Sequence, residues 1–230
     1  MISIENILFD MDGVLINSLN EIENFWISLT KKYNISISED MIAKYIHGLK
    51  TNQTIKSLFN ELSNEQKEDI YISAKNFDLD MKPLPIDGVF EFIQVLKKRN
   101  IPIGLVTSSN IERVEKILGS LNMFHFFNYT ISENDTNIGK PNPMPYLLMS
   151  EKTGTSPKNT LVFEDSLSGI KSAIEAGMNV IAINNGFESD KIYALGVKIL
   201  TKNFITLNYS HKNEIIIENC YRLIGADSTK

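Results

Sequence analysis

The chain of 230 residues contains a single cysteine, Cys220, so no disulfide can form within it. It also lacks any excess of positive charge, since the formal net charge is −5 at pH 7 and only 22% of the residues are charged. Without a basic surface we expect no binding to nucleic acid and none to an anionic membrane.

Long apolar runs are absent as well. No segment approaches the roughly 18 consecutive apolar residues that a membrane-spanning helix needs. The first residues, MISIENILFD, lack the basic flank and the long apolar stretch of a secretion signal. We therefore expect a soluble cytoplasmic protein, and 43% hydrophobic residues in a chain of this length can form a substantial core.

Short apolar runs are present and alternate with stretches of helical period. The runs lie at residues 4–9, 103–107, 128–132, 160–164 and 179–183. Such alternation is typical of a parallel sheet covered by helices. The predicted fold class is therefore α/β, with a doubly wound, Rossmann-like parallel sheet.

One segment departs from this pattern, because residues 17–82 contain no strand-like run and show four amphipathic helical stripes instead. Capping-box spacings at Ser36–Glu39 and Ser63–Gln66 indicate the starts of two of these helices. Pro83 and Pro85 then interrupt the helical pattern. We predict a catalytic core of residues 1–16 and 83–230, and an inserted all-helical cap domain of residues 17–82.

Polar residues follow the predicted strands at the edge where ligands of open α/β sheets bind. The sequence of the first such strand end is Asp10-Met11-Asp12-Gly13, and that of a second is Thr107-Ser108-Ser109. Glu164 and Asp165 end a third strand, and Lys140 lies in a loop nearby. Four carboxylates, a pair of hydroxyls and one lysine are thus expected to converge.

The charge of that cluster predicts a cation. Four ionised carboxylates and one ammonium give about −3, which is too costly to bury without compensation. Oxygen ligands from Asp10, Asp165 and Glu164 suit Mg²⁺. We expect acidic neighbours to keep Asp12 protonated, as a general acid requires. Thr107, the backbone N–H groups of Ser108 and Ser109, and Lys140 would then bind phosphoryl oxygens.

The stretches DMDGV, VTSSN, GKPNP and FEDS, in this order, resemble the four motifs of the haloacid dehalogenase superfamily, in particular its phosphatase and β-phosphoglucomutase-like branch. The resemblance covers residues 3–16 and 83–200, and the helical segment occupies the place of that branch's cap. It implies an enzyme that hydrolyses phosphoric monoesters.

The resemblance also implies a role for each motif residue. Asp10 would be the nucleophile that forms an aspartyl-phosphate, and Asp12 the acid and base. Thr107 and Ser108 would bind the substrate's phosphoryl group, and Lys140 would offset charge. The Mg²⁺ ligands would be Asp10, the backbone carbonyl of Asp12 and Asp165, with Glu164 either a ligand or a support behind them.

Two departures from the family pattern bear on the substrate. Asn17 stands where sugar-phosphate members usually have aspartate, which weakens a mutase interpretation. The loop His47-Gly48-Leu49-Lys50-Thr51 resembles a cap loop whose arginine binds a second phosphate, but here only Lys50 is basic. We expect a monophosphate substrate, with Gly48, Leu49 and Lys50 as cap contacts.

The leading hypothesis is a Mg²⁺-dependent phosphatase for a small phosphorylated metabolite such as a sugar or polyol phosphate, acting as a monomer. A sugar-phosphate mutase is the alternative enzyme. A phospho-receiver module is the alternative from another class, since receivers also place an aspartate, a hydroxyl residue and a lysine around Mg²⁺. The acid at Asp12 and the helical insertion favour turnover over a stable phospho-aspartate.

Overall fold

A computed structural model describes residues 1–184, 189–210 and 215–224. Its strands are β1 (Ile2–Ile4), β2 (Asn6–Phe9), β3 (Ile16–Asn17), β4 (Leu84–Pro85), β5 (Ile103–Val106), β6 (Tyr129–Ile131), β7 (Thr160–Glu164), β8 (Asn179–Ile183), β9 (Ile199–Thr201), β10 (Tyr209–Ser210), β11 (Ile215–Ile217) and β12 (Tyr221–Leu223). Its helices are α1 (Leu19–Lys32), α2 (Glu39–Tyr45), α3 (Thr51–Leu58), α4 (Asn64–Asp80), α5 (Val89–Lys98), α6 (Ile111–Ser120), α7 (Met144–Thr153), α8 (Leu167–Glu175) and α9 (Ser189–Ala194).

The centre of the molecule is a six-stranded sheet in the order β6-β5-β2-β7-β8-β9. Every neighbouring pair in it is parallel. This confirms the predicted α/β, Rossmann-like fold, and each of the five predicted runs contains one of its strands. The sixth strand, β9, was not predicted.

Helices cover both faces of this sheet. Successive side chains of a strand point to opposite faces, so Phe9 packs with α5 and α6, while Leu8 packs with α7, α8 and α9. A strand that is buried on both faces must be apolar throughout, which explains the uninterrupted run Ile7-Leu8-Phe9.

Helices α1 to α4 follow one another without an intervening strand and bury a hydrophobic cluster of their own around Trp26 and Phe59. The chain enters and leaves this segment through β3 and β4, which pair with each other in antiparallel fashion. The division into cap and core stays a prediction.

The two predicted capping boxes had different outcomes. The box at Ser63 and Gln66 forms and opens α4, which confirms that prediction. The box at Ser36 was wrong, because α2 begins one residue after Ser38, whose hydroxyl accepts a hydrogen bond from the N–H of Met41.

A second, smaller sheet has the order β1-β12-β11-β10 and packs against the core beside α5. The longest helix in the described ranges is α4, with 17 residues and a mostly polar sequence. Within those ranges, no helix has the length and hydrophobicity to cross a lipid bilayer.

Candidate active site

The central strands of the main sheet deliver polar residues to one edge. Asp10 follows β2 directly, Thr107 follows β5, and Glu164 is the last residue of β7. Because β2 lies between β5 and β7 and all three are parallel, these residues meet at the same end of the sheet. This is the edge where open α/β sheets bind ligands.

Lys140 reaches this edge from the loop after β6, and its side chain is only 1% exposed. Its ammonium donates hydrogen bonds to Asp10 Oδ1 at 2.6 Å, to Glu164 Oε1 at 2.5 Å and to the Val106 carbonyl at 3.0 Å. Burial acts to lower the pKa of Lys140, but the two carboxylates outweigh burial and hold the pKa above its ordinary value. A fixed positive charge therefore lies against Asp10.

Asp10, Glu164 and Asp165 each bring a carboxylate oxygen within 4.8 Å of the others. Burial raises the pKa of Asp10 to about 7 despite the adjacent Lys140, and Glu164 adds to the rise. Burial, and then Glu164 and Asp10, raises the pKa of Asp165 well above its ordinary range. Three carboxylates and one ammonium carry a formal charge of −2, so this all-oxygen cluster fits a hard divalent cation.

Gly13 leaves room for the Asp165 side chain. Its φ of +74° is in the left-handed region, and a Cβ at this position would lie 2.2 Å from Asp165 Oδ2. The DxDG motif therefore needs glycine both for its backbone conformation and for the close approach of a cluster carboxylate.

Glu164 is fully buried, and both of its oxygens accept hydrogen bonds. Oε1 accepts from Lys140 and from the Tyr146 hydroxyl at 2.9 Å, while Oε2 accepts from the backbone N–H groups of Asp165 and Ser166. The sequence analysis expected Glu164 either to bind the metal ion directly or to support the residues that do. Because both of its oxygens already accept hydrogen bonds from the protein, this geometry favours the supporting role.

Asp12 is held by four donors. Arg113 binds it through two nitrogens, with Nη1 2.6 Å from Oδ2 and Nη2 2.7 Å from Oδ1. Ser18 Oγ donates to Oδ1 at 2.5 Å, and Ser109 Oγ donates to Oδ2 at 3.1 Å. Burial acts to raise the pKa of Asp12, but Arg113 and the hydroxyls outweigh burial and lower it. The expectation of a protonated Asp12 was wrong for this state, because it took no account of the buried guanidinium.

Arg113 is the main functional candidate that the sequence analysis missed. It lies on the buried face of α6, next to Val114 and one turn before Ile117, and is 1% exposed. A charged residue within an apolar helical stripe is the signal that could have identified it. Its Nε lies 3.2 Å from Asp78 Oδ1 on α4, and this pair links the helical segment to the core.

Asp78 is a second functional candidate that the sequence analysis missed. Burial raises its pKa to about 6, although Arg113 acts in the opposite direction. The Nε–H of Arg113 makes no hydrogen bond among the described residues, so the contact with Asp78 is an ion pair without good hydrogen-bond geometry.

The predicted phosphoryl-binding residues Thr107, Ser108 and Ser109 follow β5, which lies next to the strand that precedes Asp10, and their polar groups also make hydrogen bonds within the protein. The Thr107 hydroxyl accepts a hydrogen bond from the Ser109 N–H at 3.1 Å. The Ser108 hydroxyl donates to the Gly48 carbonyl at 2.8 Å, across the boundary between core and helical segment. Asn110 caps α6 by accepting from the Arg113 N–H, so α6 begins just after the hydroxyl residues.

The three predicted cap contacts are not brought to the same place. Gly48 and Leu49 line a cavity between the helical segment and the core, together with Asp10, Asp12 and Asp165. Lys50 is turned away from this cavity, and its ammonium donates to the backbone carbonyls of Glu133 and Thr136 in the core. Lys50 thus joins the two parts of the molecule and is not positioned to meet a ligand in the cavity.

The remainder of the cavity wall is partly aromatic. The rings of Phe25 and Phe77 stack with centroids 4.3 Å apart and line the cavity beside Trp26. Asp78 and Arg113 line it as well. An apolar wall with a few charged groups is typical of a pocket for a small polar metabolite.

The chain is similar to known proteins both in sequence and in structure. A family model described as haloacid dehalogenase-like hydrolase matches residues 7–183. Hexitol phosphatase A of Escherichia coli (strain K12) is 27% identical over 221 residues, covering 92% of this chain and 97% of that protein.

Solved structures give a similar result. A HAD hydrolase of family IA, variant 3, from Entamoeba histolytica HM-1:IMSS matches with a TM-score of 0.75 and 28% identity, covering 89% of this chain and 96% of that one. A β-phosphoglucomutase from Clostridium difficile matches with a TM-score of 0.73 and 20% identity, covering 87% and 92%, which is a likeness of fold.

Proposed function

This chain belongs to the haloacid dehalogenase-like hydrolase family, and on that basis we propose that it is a Mg²⁺-dependent phosphatase for a small sugar or polyol phosphate. One observation carries the proposal. A buried lysine is paired with an aspartate at the end of the central strand, inside a cluster of carboxylates whose charge and oxygen ligands suit a divalent cation. The Escherichia coli relative, named a hexitol phosphatase, supports the substrate class.

In the proposed reaction the Asp10 carboxylate attacks phosphorus, and the bond from phosphorus to the alcohol oxygen breaks. The leaving oxygen takes its proton from Asp12. Water then attacks the aspartyl-phosphate, Asp12 accepts the proton of that water, and the bond from phosphorus to Asp10 breaks. Splitting one difficult displacement into two easier steps is the general advantage of a covalent intermediate.

Asp12 must change its protonation state during this cycle. The carboxylate form, paired with Arg113, is the form that accepts a proton from water. Entry of a phosphoryl dianion beside it raises the pKa of Asp12, because a neighbouring negative charge disfavours a second one. The protonated form that the first step needs is thus reached once substrate is bound.

Lys140 offsets the charge on Asp10 and on the phosphoryl oxygens, which Thr107, Ser108 and Ser109 also contact. Asp10, the Asp12 carbonyl and Asp165 would hold Mg²⁺, with Glu164 behind them. When bound, the ion supplies positive charge that stabilises the transferring phosphoryl group.

We propose further that residues 17–82 act as a cap over the core of residues 1–16 and 83–230, and that they exclude water from the covalent intermediate. The contacts of Ser108 with Gly48 and of Lys50 with the carbonyls of Glu133 and Thr136 support this role, since they hold the two parts together.

A phosphatase is favoured over a sugar-phosphate mutase because a mutase must bind a phosphate at each end of its substrate. Lys50, the basic residue of the cap loop, is committed to core carbonyls. Thr51 lines the cavity instead, and a neutral hydroxyl is a weak anchor for a dianion.

The proposal is tested by phosphate release from a panel of phosphorylated metabolites, with Mg²⁺ and with chelator. We expect release from sugar or polyol phosphates that requires Mg²⁺ and is abolished in Asp10→Asn. Activity that survives chelation would contradict the metal assignment. Formation of an isomer without phosphate release would identify a mutase instead.

The same assay separates an enzyme from a receiver module. Asp12→Asn should lose nearly all turnover, because the acid and base is removed. Persistent phosphorylation of Asp10 with no hydrolysis in the wild-type protein would indicate a receiver.

A further inference from the structure

The wall of the cavity beyond Asp12 carries a further carboxylate, which a negatively charged substrate would approach. In the proposed reaction Asp12 protonates the leaving oxygen, so the alcohol portion of the substrate lies on the Asp12 side of the phosphoryl group. The residues next to Asp12 on that side are Arg113 and, one guanidinium farther, Asp78. Both line the cavity.

Arg113 does not offer a free positive charge there. Its two terminal nitrogens bind both oxygens of Asp12, and its Nε faces Asp78 at 3.2 Å. One guanidinium is thus shared by two carboxylates, so the group carries a formal charge of −1 when both are ionised and no net charge when Asp12 is protonated. In either state an additional anion entering beside it meets no net positive charge, and it lies next to the carboxylate of Asp78.

Other cations near the cavity are committed elsewhere. Lys50 binds carbonyls of the core, Lys75 on α4 pairs with Glu112 at 3.1 Å, and Lys116 donates to the carbonyl of Leu79. Within the described residues, Arg113 is the sole lysine or arginine that lines the cavity. His47 also lines it, but its ring nitrogen lies 2.8 Å from Glu23 Oε1.

Asp78 keeps its capacity to accept hydrogen bonds. Its contact with Arg113 lacks hydrogen-bond geometry, and its side chain is 20% exposed while lining the cavity. Carboxylate oxygens accept hydrogen bonds from hydroxyl groups and repel other carboxylates and phosphates. The stacked rings of Phe25 and Phe77 beside it supply an apolar surface for carbon–hydrogen groups.

We propose that Asp78 is a specificity-determining residue, which accepts hydrogen bonds from hydroxyls of an uncharged polyol chain and rejects substrates with an anionic group at the end opposite the phosphate. This inference rests on the proposed phosphatase function and narrows its substrate class.

Two substrates of equal length test the inference. Glucitol 6-phosphate and 6-phosphogluconate both have six carbons and one phosphate, and they differ at carbon 1, where the first has a hydroxymethyl group and the second a carboxylate. At pH 7.5 we expect kcat/KM of the wild-type protein to be about 10- to 100-fold higher for glucitol 6-phosphate, the range that electrostatic repulsion near a protein surface supplies.

Asp78→Asn removes the charge and keeps the shape. We expect it to reduce the ratio of the two kcat/KM values by about tenfold, mainly through a lower KM for 6-phosphogluconate. A role of Asp78 that acted only through Arg113 and Asp12 would change both substrates equally and leave the ratio intact. Asp80→Asn, at an exposed position of the same helix, is the matched control.

The outcomes separate this inference from the proposed function. Equal hydrolysis of both substrates by the wild-type protein, or an unchanged ratio in Asp78→Asn, would overturn the role of Asp78 and leave the phosphatase standing. Mg²⁺-dependent phosphate release from neither of these compounds nor any other phosphate monoester would overturn the proposed function, and the inference with it.

Discussion

Arg113 connects two carboxylates of the cavity wall, Asp12 and Asp78. It binds Asp12 with both terminal nitrogens and faces Asp78 with its third. Two parallel N–H bonds fix orientation as well as charge, which a lysine cannot do. Arg113, together with the hydroxyls of Ser18 and Ser109, thus favours the ionised form of the proposed acid and base.

Replacement of Arg113 by lysine keeps the charge and loses the forked geometry. Because Arg113 lowers the pKa of Asp12, we expect the Asp12 inflection in the pH profile of kcat/KM to move to higher pH by roughly 0.5 to 1 unit. We also expect kcat to fall by about tenfold. Kinetics from about pH 3 to pH 8 would measure both effects, because the pKa of Asp12 in the wild-type protein lies below its ordinary value of 3.8.

The Asp12 inflection is identified as the one that disappears in Asp12→Asn. Arg99→Lys, at an exposed position after α5, serves as the control. An unmoved inflection, or one displaced to lower pH, would contradict the role assigned to Arg113.

Gly13 gives a second prediction from a single residue. In Gly13→Ala the new Cβ would collide with Asp165 Oδ2, and the φ of +74° is strained for alanine. We expect loss of nearly all phosphatase activity and of the thermal stabilisation by Mg²⁺, measured by phosphate release and by melting with and without the ion.

Gly119→Ala is the matched control for that variant. Gly119 lies in α6, and a Cβ there meets no atom within 4 Å. Because alanine is the better helix former, this variant should retain activity and gain roughly 0.5–1 kcal/mol of stability. Similar losses in both variants would show that steric access to Asp165 is not the cause.

At the level of elements, the segment between α2 and α3 joins the proposed cap to the core. Lys50 is 9% exposed and donates to two core carbonyls, Ser108 donates to the Gly48 carbonyl, and Ser168 donates to the His47 carbonyl. All four of these contacts end on backbone carbonyls of the loop or the core. The proposed closure would therefore depend on the backbone shape of the loop.

Lys50→Met keeps most of the aliphatic stem and removes the ammonium. Since the two carbonyls then lose a charged donor, we expect closure to weaken and kcat/KM for sugar phosphates to fall by about tenfold, the equivalent of about 1.4 kcal/mol. Amide hydrogen exchange in residues 46–50 should become faster, which mass spectrometry would measure.

Lys56→Met, at an exposed position of α3, tests whether a loss of any lysine has this effect. Unchanged exchange in Lys50→Met would refute the assigned role of Lys50 in closure.

At the scale of the whole molecule, the acidic cluster ties stability to pH and to the metal. The pKa of Asp10 is about 7 in the folded protein, and an unfolded aspartate titrates near about 4. Between about pH 4 and pH 7 Asp10 is therefore mostly ionised in the unfolded chain and mostly protonated in the folded protein. Because the unfolded state binds fewer protons, the metal-free protein loses stability as the pH rises from about 4 through about 7.

Binding of Mg²⁺ to the ionised carboxylates should remove this loss. We expect the rise in Tm caused by Mg²⁺ to be larger at pH 7.5 than at pH 5. An ion at 100 times its Kd contributes about 2.7 kcal/mol, which corresponds to roughly 5–10 °C for a chain of this size. Thermal melts with Mg²⁺ or chelator at both pH values measure the difference.

Asp165→Asn, which removes one of the cluster carboxylates, should show a smaller response to Mg²⁺. A stabilisation by Mg²⁺ that is equal at both pH values would mean that the cluster does not bind the ion in its ionised form.

The sequence alone determined the architecture and the proposed chemistry. Apolar runs that end in Asp10, Thr107 and Glu164 predicted a parallel sheet with polar residues at one edge, because strand period and burial on both faces are local properties. The family assignment is confirmed by the match over residues 7–183. The site roles and the cap boundary stay predictions, although the structure brings Asp10, Lys140, Glu164 and Asp165 together.

Only the tertiary structure decided which charges meet. Arg113 and Asp12 are 101 residues apart in the chain, and Lys50 and Glu133 are 83 apart. Whether such pairs form depends on the rotation of α6 against the sheet and on how the helical segment docks, and neither is encoded in a local pattern. The sequence thus specified which groups are available, whereas packing determined the charge of Asp12 and the direction of Lys50.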